Sequence, residues 1–125
     1  MAASPSRLAP CPKNPNCVST QAPEGSSKRM DPIPYAGTLA QARQKMLQVL
    51  RDYPRTRIVQ EEPGYLKAEC RSRLFRFVDD VEILFDDGAK QIHFRSASRL
   101  GRKDFGVNRE RMERLRAAFL AAGAG

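Results

Sequence analysis

The chain has 125 residues, of which 41% are hydrophobic and 29% are charged, a composition typical of ordinary globular proteins rather than disordered ones. Its 22 Lys and Arg against 14 Asp and Glu give a net charge of +8, which favours anionic partners such as phosphorylated ligands, acidic protein surfaces or nucleic acid. The longest apolar run, Ala117–Ala122, is too short to span a bilayer.

The first 37 residues carry seven of the nine prolines and few large apolar side chains. Proline fixes its own φ and biases the preceding residue toward extended backbone, so this segment is expected to form neither a helix nor a central strand. We predict a proline-rich extended or disordered arm over residues 1–37. A single α+β domain is predicted over residues 38–125.

The first helix is predicted to begin at Thr38. Thr38 and Gln41 have the spacing of a capping box, in which a hydroxyl and an amide satisfy unpaired backbone donors. Pro54 ends the helix. Between them runs an apolar stripe at helical spacing, which consists of Leu39, Ala42, Met46, Val49, Leu50 and Tyr53.

Four strands are predicted to follow, over residues 56–61, 65–72, 75–85 and 90–98. Pro63-Gly64 separates the first two, and Asp86-Asp87-Gly88-Ala89 joins the last two. Asp-Gly between two alternating runs is a strong hairpin signal. A second helix is predicted over residues 107–121, with an apolar stripe of Met112, Leu115, Ala118, Phe119 and Ala122.

This order predicts an α+β fold, a four-stranded antiparallel meander with the N-terminal and C-terminal helices packed on one face. With Asp87-Gly88 as a two-residue turn, Ile83 faces Ile92 and Glu82 faces His93. Asp79 then points toward the core with Phe77. A buried carboxylate needs hydrogen-bond donors, and the register predicts Ser96 and Ser98 in that role.

Four separated motifs lie in order along the chain, with the sequences CPKNPNCVST at residues 11–20, FVDDVE at 77–82, RSASR at 95–99 and DFGVNR at 104–109. Together they resemble the bacterial and plastid family catalogued as domain of unknown function 1499. The resemblance extends from Cys11 to Leu120. Members of that family often carry an N-terminal signal, lipid anchor or membrane segment, and the family brings no established activity or catalytic residues.

No secretory leader opens the chain, so we expect a cytoplasmic protein as given. A longer native form that carries a signal would be periplasmic or membrane-associated.

Cys11 and Cys17 enclose five residues, a spacing that could close a small disulfide loop in an oxidising compartment or leave two free thiols. A metal site would have only Cys70 and His93 to add, so no metal or cofactor is predicted. Cys70 lies on an apolar strand face and is expected to fill the core. His93, the only histidine, is expected on the outer face.

No motif for a catalytic nucleophile or a phosphate-binding glycine loop occurs. Asp79 and Asp80 are adjacent on a strand and point to opposite faces, so they cannot act as a paired acid and base. We therefore favour a non-catalytic protein. A small hydrolase-type enzyme with an unrecognised site is kept as a second alternative.

The stretch from residue 95 to residue 109 leaves a strand, passes two glycines and enters a helix N-terminus, where free N–H groups and guanidinium groups could hold an anion. The hypothesis is an anion-accepting or partner-binding site lined by Arg95, Ser98, Arg99, Arg102, Asn108 and Arg109. The competing interpretation pairs Arg95 and Arg99 with Asp80 and Glu69, while Asp104 or Asn108 caps the helix.

The sequence thus predicts a binding or interaction module for an anionic small molecule or an acidic protein surface. Non-specific nucleic-acid binding is the alternative. It is less favoured because the chain has no tryptophan for base stacking and most of its six phenylalanines fall on predicted core faces.

Overall fold

The computed structural model describes residues 7–12, 16–71, 77–99 and 106–122. These residues form an α+β fold. The two helices are α1 (Leu39–Asp52) and α2 (Val107–Ala122). The six strands are β1 (Cys17–Ser19), β2 (Ile33–Pro34), β3 (Thr56–Glu62), β4 (Tyr65–Arg71), β5 (Val78–Asp86) and β6 (Gln91–Ser98). They form one sheet in the order β1-β6-β5-β4-β3, and β2 also pairs with β6.

The first helix begins with the predicted capping box. The Thr38 hydroxyl accepts a hydrogen bond from the Gln41 N–H at 3.1 Å, and the Gln41 side chain accepts one from the Thr38 N–H at 3.0 Å. Gly37 precedes the cap with a φ of 82°. A Cβ at Gly37 would lie 2.5 Å from Gln41 Oε1, so the capping box requires glycine before it.

The four predicted strands are confirmed as β3 to β6, with bounds that differ by no more than three residues. β3 and β4 are joined at Pro63-Gly64, and their pairing register shifts between Ile58 and Gln60 at a β-bulge. An alternating apolar pattern bounded by turn residues is therefore sufficient to locate each of these strands.

The predicted register of the last hairpin is wrong by two residues. Phe85, not Ile83, pairs with Ile92, and Glu82 pairs with Arg95. The turn takes up four residues, 87–90, and ends on Lys90 with a φ of 55°. A shift of two residues leaves every side chain on its predicted face, so alternation alone cannot distinguish the two registers.

The wide turn is held by contacts from the segment before α1. The Tyr35 hydroxyl donates a hydrogen bond to Asp87 Oδ1 at 2.6 Å, and the Tyr35 N–H donates to the Lys90 carbonyl at 3.1 Å. Lys90 Nζ donates to the Gly37 carbonyl at 2.7 Å and to Asp87 at 2.9 Å. These contacts stabilise the four-residue turn over the two-residue one.

The sheet has six strands rather than the predicted four. The additional strands, β1 and β2, come from the segment predicted as an extended arm, and both pair with β6. Cys17 pairs with Ala97, and Ile33 pairs with Ile92. Strands of two or three residues carry no alternation that a sequence pattern can reveal.

The core lies between the helices and one face of the sheet. Its largest fully buried apolar side chains come from both helices and four strands, and include Ile33, Met46, Leu50, Leu66, Ile83, Ile92, Phe94, Met112, Leu115 and Phe119. Val18, Met30, Ile33 and Tyr35, from within residues 17–37, belong to the same cluster. Phe77, expected in the core, has 46% of its surface exposed.

Candidate functional site

A cluster of buried polar side chains interrupts the apolar core. This buried polar cluster consists of Asn16, Asp79, Ser96, Asn108 and Arg111, each at most 7% exposed. Asp79 lies on β5 and Ser96 on β6, both pointing toward α2. Asn108 and Arg111 are three residues apart on α2 and therefore share the helix face that meets the sheet.

Arg111 links the other members of the buried polar cluster. It donates hydrogen bonds to Asp79 Oδ2 at 2.7 Å, to Asn108 Oδ1 at 2.8 Å and to Ser96 Oγ at 3.1 Å. The Ser96 hydroxyl donates to Asn108 Oδ1 at 2.7 Å, and Asn108 Nδ2 donates to the backbone carbonyl of Asn16 at 3.1 Å. The cluster thus joins α2 to β5, to β6 and to the residue before β1.

The structure places Asp79 in the core, where its donor is Arg111 rather than the predicted Ser96 and Ser98. Ser96 donates instead to Asn108, and Ser98 Oγ accepts from Asn108 at 3.1 Å. Sequence reasoning missed Arg111. The signal was present, because Arg111 occupies a helix face shared with Met112, Leu115 and Phe119, where a buried cation requires a buried anion.

On the outer face of the sheet, Arg99 is paired with two carboxylates. Its guanidinium donates to both oxygens of Asp80 at 2.8 Å and to Glu69 at 2.8 Å. The hydrogen bonds from Arg99 hold the pKa of Asp80 below its ordinary value. Arg99 therefore has the carboxylate partners that the competing interpretation of the sequence gave it, rather than a free guanidinium for an anion. The charge of Arg99 is largely compensated within the molecule.

Arg95 also forms an ion pair on the outer face, but with Glu82 at 3.2 Å rather than with Asp80. The shift in register explains the difference, because it brings Glu82 directly opposite Arg95. The Tyr65 hydroxyl donates to the other oxygen of Glu82 at 2.7 Å. Burial and the bond to Glu82 raise the pKa of Tyr65 far above its ordinary value.

Residues 7–12, which we call the strap, lie across this outer face. The Leu8 side chain packs against Tyr65 and Leu84. The Leu8 N–H donates to Gln21 Oε1 at 2.8 Å, and the Pro10 carbonyl accepts from Arg95 at 3.3 Å. The strap explains why Tyr65 and Glu82 are only 5% and 7% exposed on a face that carries no helix.

A disulfide between Cys11 and Cys17 ties the strap to β1, with a Cα–Cα distance of 5.7 Å. Beside it lies a groove of about 550 Å³. Its lining includes Arg7, Leu8, Pro10, Cys11, Gln21 and Lys28, and none of its lining residues is acidic.

Besides Arg95 and Lys90, which also have carboxylate partners, four cations donate to backbone carbonyl groups within residues 7–37. Arg109 donates to the Ser27 carbonyl at 2.5 Å, Arg116 to the carbonyls of Asp31 and Pro32, Arg29 to the Ala22 carbonyl at 2.7 Å, and Lys28 to the Pro12 carbonyl. We call this set the carbonyl-bound cations. Within the described part of the chain, none of the four lies within 4.0 Å of a carboxylate oxygen.

The structure does not bring together the five predicted anion-site residues that it describes. Arg95 and Arg99 lie on the outer face with carboxylate partners, whereas Ser98 and Asn108 contact each other on the inner face. Arg109 reaches the Ser27 carbonyl, and Arg102 lies outside the described residues. Successive side chains along β6 point to opposite faces of the sheet, so Arg95 and Ser98 lie on different faces.

The remaining reactive side chains are held in structural contacts. His93 Nδ1 is hydrogen-bonded to the Thr20 hydroxyl at 2.9 Å. Cys70 is buried, contacts the Thr56 hydroxyl at 3.3 Å, and has its pKa raised by burial, which disfavours the reactive thiolate. In the described ranges no group of three or more His, Cys, Asp or Glu side chains is placed to hold a metal ion.

The described helices include none that is both long and apolar enough to cross a membrane. A sequence model of a family described as a protein of unknown function, DUF1499, matches residues 7–119. The chain belongs to the DUF1499 family. A comparison with curated proteins finds no match. Because the DUF1499 match begins at Arg7 and ends at Phe119, the strap, the disulfide, α1 and all but the last three residues of α2 lie within the matched region.

Proposed function

We propose that this DUF1499 protein is a non-catalytic interaction module that binds an anionic ligand or an acidic protein surface. The binding surface comprises α2 from Arg109 to Arg116 together with residues 27–32, which lie against it. One observation carries the proposal, namely that Arg109 and Arg116 are fixed by neutral carbonyl groups rather than by carboxylates.

The distinction between carbonyl and carboxylate partners decides where the positive charge is effective. A carbonyl acceptor orients a guanidinium and leaves its full charge, whereas a carboxylate cancels it. Arg95 and Arg99, paired with Glu82 and with Asp80 and Glu69, therefore attract an incoming anion less than Arg109 does. Of the residues in the anion-site hypothesis, the proposed surface includes Arg109. A role for Arg102 in anion binding stays a prediction from the sequence alone.

The chemistry of the buried polar cluster supports a non-catalytic role. The partners of the Ser96 hydroxyl are Asn108 and Arg111, and neither can act as a general base. The Cys70 thiol is buried in the core beside them, where burial raises its pKa. The geometry therefore favours a rigid scaffold that presents the basic face of α2.

The proposal is tested by replacing Arg109 and Arg116 together with glutamine. Binding of an oligoglutamate peptide and of inorganic tripolyphosphate is measured by calorimetry. Removing two cations from the contact surface should weaken binding about tenfold or more. The matched control replaces two exposed arginines with glutamine, namely Arg51 on α1 and Arg71 on β4. It changes the net charge equally and should alter affinity no more than about twofold to threefold. Equal losses in both variants would mean that only the overall charge matters.

The nucleic-acid alternative is measured in the same series with a duplex DNA oligonucleotide. Non-specific binding to phosphates weakens steeply as salt concentration rises. Tighter binding of DNA than of either small probe, with a loss in the R109Q/R116Q variant, would replace the acidic-partner proposal with nucleic-acid binding. If DNA binds weakly, and equally weakly to the R109Q/R116Q variant and to the control variant, the acidic-partner proposal is supported.

A further inference from the structure

We propose that the Cys11–Cys17 disulfide is a redox-controlled clasp for the strap. A dithiol reductant reaches Cys11 through the adjacent groove, opens the disulfide and releases residues 7–12 from the outer face of the sheet. This inference concerns a different surface from the proposed binding face of α2 and does not depend on it.

The two cysteine residues differ in their accessibility. Cys17 is fully buried in β1, with 0% of its surface exposed, whereas Cys11 is partly exposed and lines the groove. Lys28 and Arg7 also line the groove, and no acidic side chain does. A thiolate carries negative charge, so it is attracted to this groove and meets the sulfur of Cys11 first.

The exchange is balanced in two steps. The first thiolate of the reductant attacks Cys11 Sγ, the sulfur–sulfur bond breaks, and the electron pair leaves on Cys17 Sγ, which takes up a proton. The second thiolate of the reductant then attacks the reductant sulfur of the mixed disulfide. Cys11 leaves as a thiolate and is protonated. The protein gains two electrons and two protons, and the reductant departs as its own disulfide.

The strap has few other attachments to the sheet. Leu8 supplies its one buried apolar side chain, and the hydrogen bonds at Leu8, Pro10 and Pro12 are made to side chains. Pro10 and Pro12 lack an N–H, so the strap cannot add a regular ladder to the sheet. β1, by contrast, is fixed to β6 over three residue pairs, so the disulfide anchors the strap to a firmly held strand.

Release of the strap uncovers a defined surface. Tyr65 and Leu84 lose the contact with Leu8, and Arg95 loses the Pro10 carbonyl. Arg95 retains Glu82 as its partner. The reduced protein therefore presents an apolar and charged patch on β4 to β6 that the oxidised protein keeps covered.

The first experiment compares oxidised and dithiothreitol-reduced wild-type protein by hydrogen exchange and by trypsin cleavage between Arg7 and Leu8. On reduction, the protection of the Leu8 amide should fall about tenfold or more, while amides in the β4–β5 ladder keep theirs. The C11S/C17S variant should match the reduced protein without any reductant. The C70S variant should retain the full difference between the two states. Equal protection of Leu8 in oxidised and reduced wild-type protein would overturn the proposal, whether or not the serine variant folds.

The second experiment locates the point of attack. The oxidised protein is treated with reduced glutathione, trapped with iodoacetamide, and mapped by mass spectrometry. The mixed disulfide is expected on Cys11. A glutathione adduct on Cys17, or a disulfide that resists millimolar glutathione and dithiothreitol in the folded protein, would contradict entry through the groove.

Discussion

Asp79 and Asp80 are neighbours on β5, yet each is paired with an arginine in a different environment. The side chains of Asp79 and Arg111 are buried in the core, whereas that of Arg99, the partner of Asp80, is 46% exposed. The pleat of the strand sends the two carboxylates to opposite faces. The same type of ion pair therefore has a structural role on one face and a weak, screened role on the other.

Replacing Arg111 with leucine should destabilise the protein strongly, because Asp79 would be left buried without its cation. We expect a loss of about 3–5 kcal/mol in the free energy of unfolding, measured by urea denaturation. The control is R114L, since Arg114 forms an exposed pair with Glu110 and its loss should cost about 0.5 kcal/mol or less. The double variant D79L/R111L should recover much of the loss. A single variant as stable as the wild type would refute this role for Arg111.

Replacing Arg99 with glutamine should raise the pKa of Asp80 toward its ordinary value of 3.8. Because folding lowers this pKa, Asp80 stabilises the folded state above the ordinary value, and this contribution is lost as pH falls through the lowered pKa. The part of the loss of stability at acidic pH that is due to Asp80 should therefore be smaller in R99Q than in the wild type. Carboxyl NMR titration measures the pKa directly. R57Q is the control, because Arg57 contacts Glu69 and leaves Asp80 with its partner.

At the residue scale, the sequence located buried and exposed groups better than it located their partners. The placement of Asp79 toward the core follows from strand alternation, and that of Arg99 beside Asp80 and Glu69 from opposite charge. The carbonyl contacts of Lys28, Arg29 and Arg116 could not be predicted, because every peptide unit has a carbonyl and none is marked in the sequence.

At the scale of elements, the helices and β3 to β6 follow from local signals that act within about ten residues. The capping box at Thr38 and the proline after α1 each specify a boundary without help from the rest of the chain. β1 and β2 have no such signal, because their conformation depends on pairing with β6. The register of the last hairpin was missed for a related reason, since Tyr35 holds its turn from 52 residues away.

Replacing Thr38 with alanine tests the local signal that starts α1. The variant loses the acceptor for the Gln41 N–H, so we expect a loss of about 1 kcal/mol in the free energy of unfolding. T38S keeps a hydroxyl and should stay close to wild type. Chemical denaturation followed by circular dichroism measures both. Equal stability of T38A and T38S would show that the capping box contributes little to this helix.

At the scale of the whole molecule, two short segments from residues 16–37 are part of the sheet. Both short strands pair with β6, and residues 17–37 add four side chains to the main core cluster. Residues 17–37 therefore share one sheet and one core cluster with the described residues that follow position 37. The proline-rich composition reflects irregular backbone, which contacts with α2 and β6 hold in place.

Deleting residues 1–37 tests whether residues 38–125 can fold alone. The deletion removes Val18, Met30, Ile33 and Tyr35 from the core and uncovers one edge of β6. Each large buried side chain lost costs about 2–5 kcal/mol, so the truncated chain should not show cooperative unfolding. Amide NMR dispersion and thermal unfolding are compared with those of the full chain. A well-dispersed spectrum with an unchanged melting temperature would contradict this prediction.

The position of β6 has a consequence for the order of events during synthesis. Cys17 is translated 80 residues before Ala97, the residue with which it pairs. At a synthesis rate of about 5–20 residues per second, Ala97 is added roughly 4–16 s after Cys17, so β1 has no partner strand during that time. The N-terminal segment thus leaves the ribosome long before it can complete the sheet. Because proline makes a poor partner for strand pairing, we expect this segment to resist pairing with other chains during that interval.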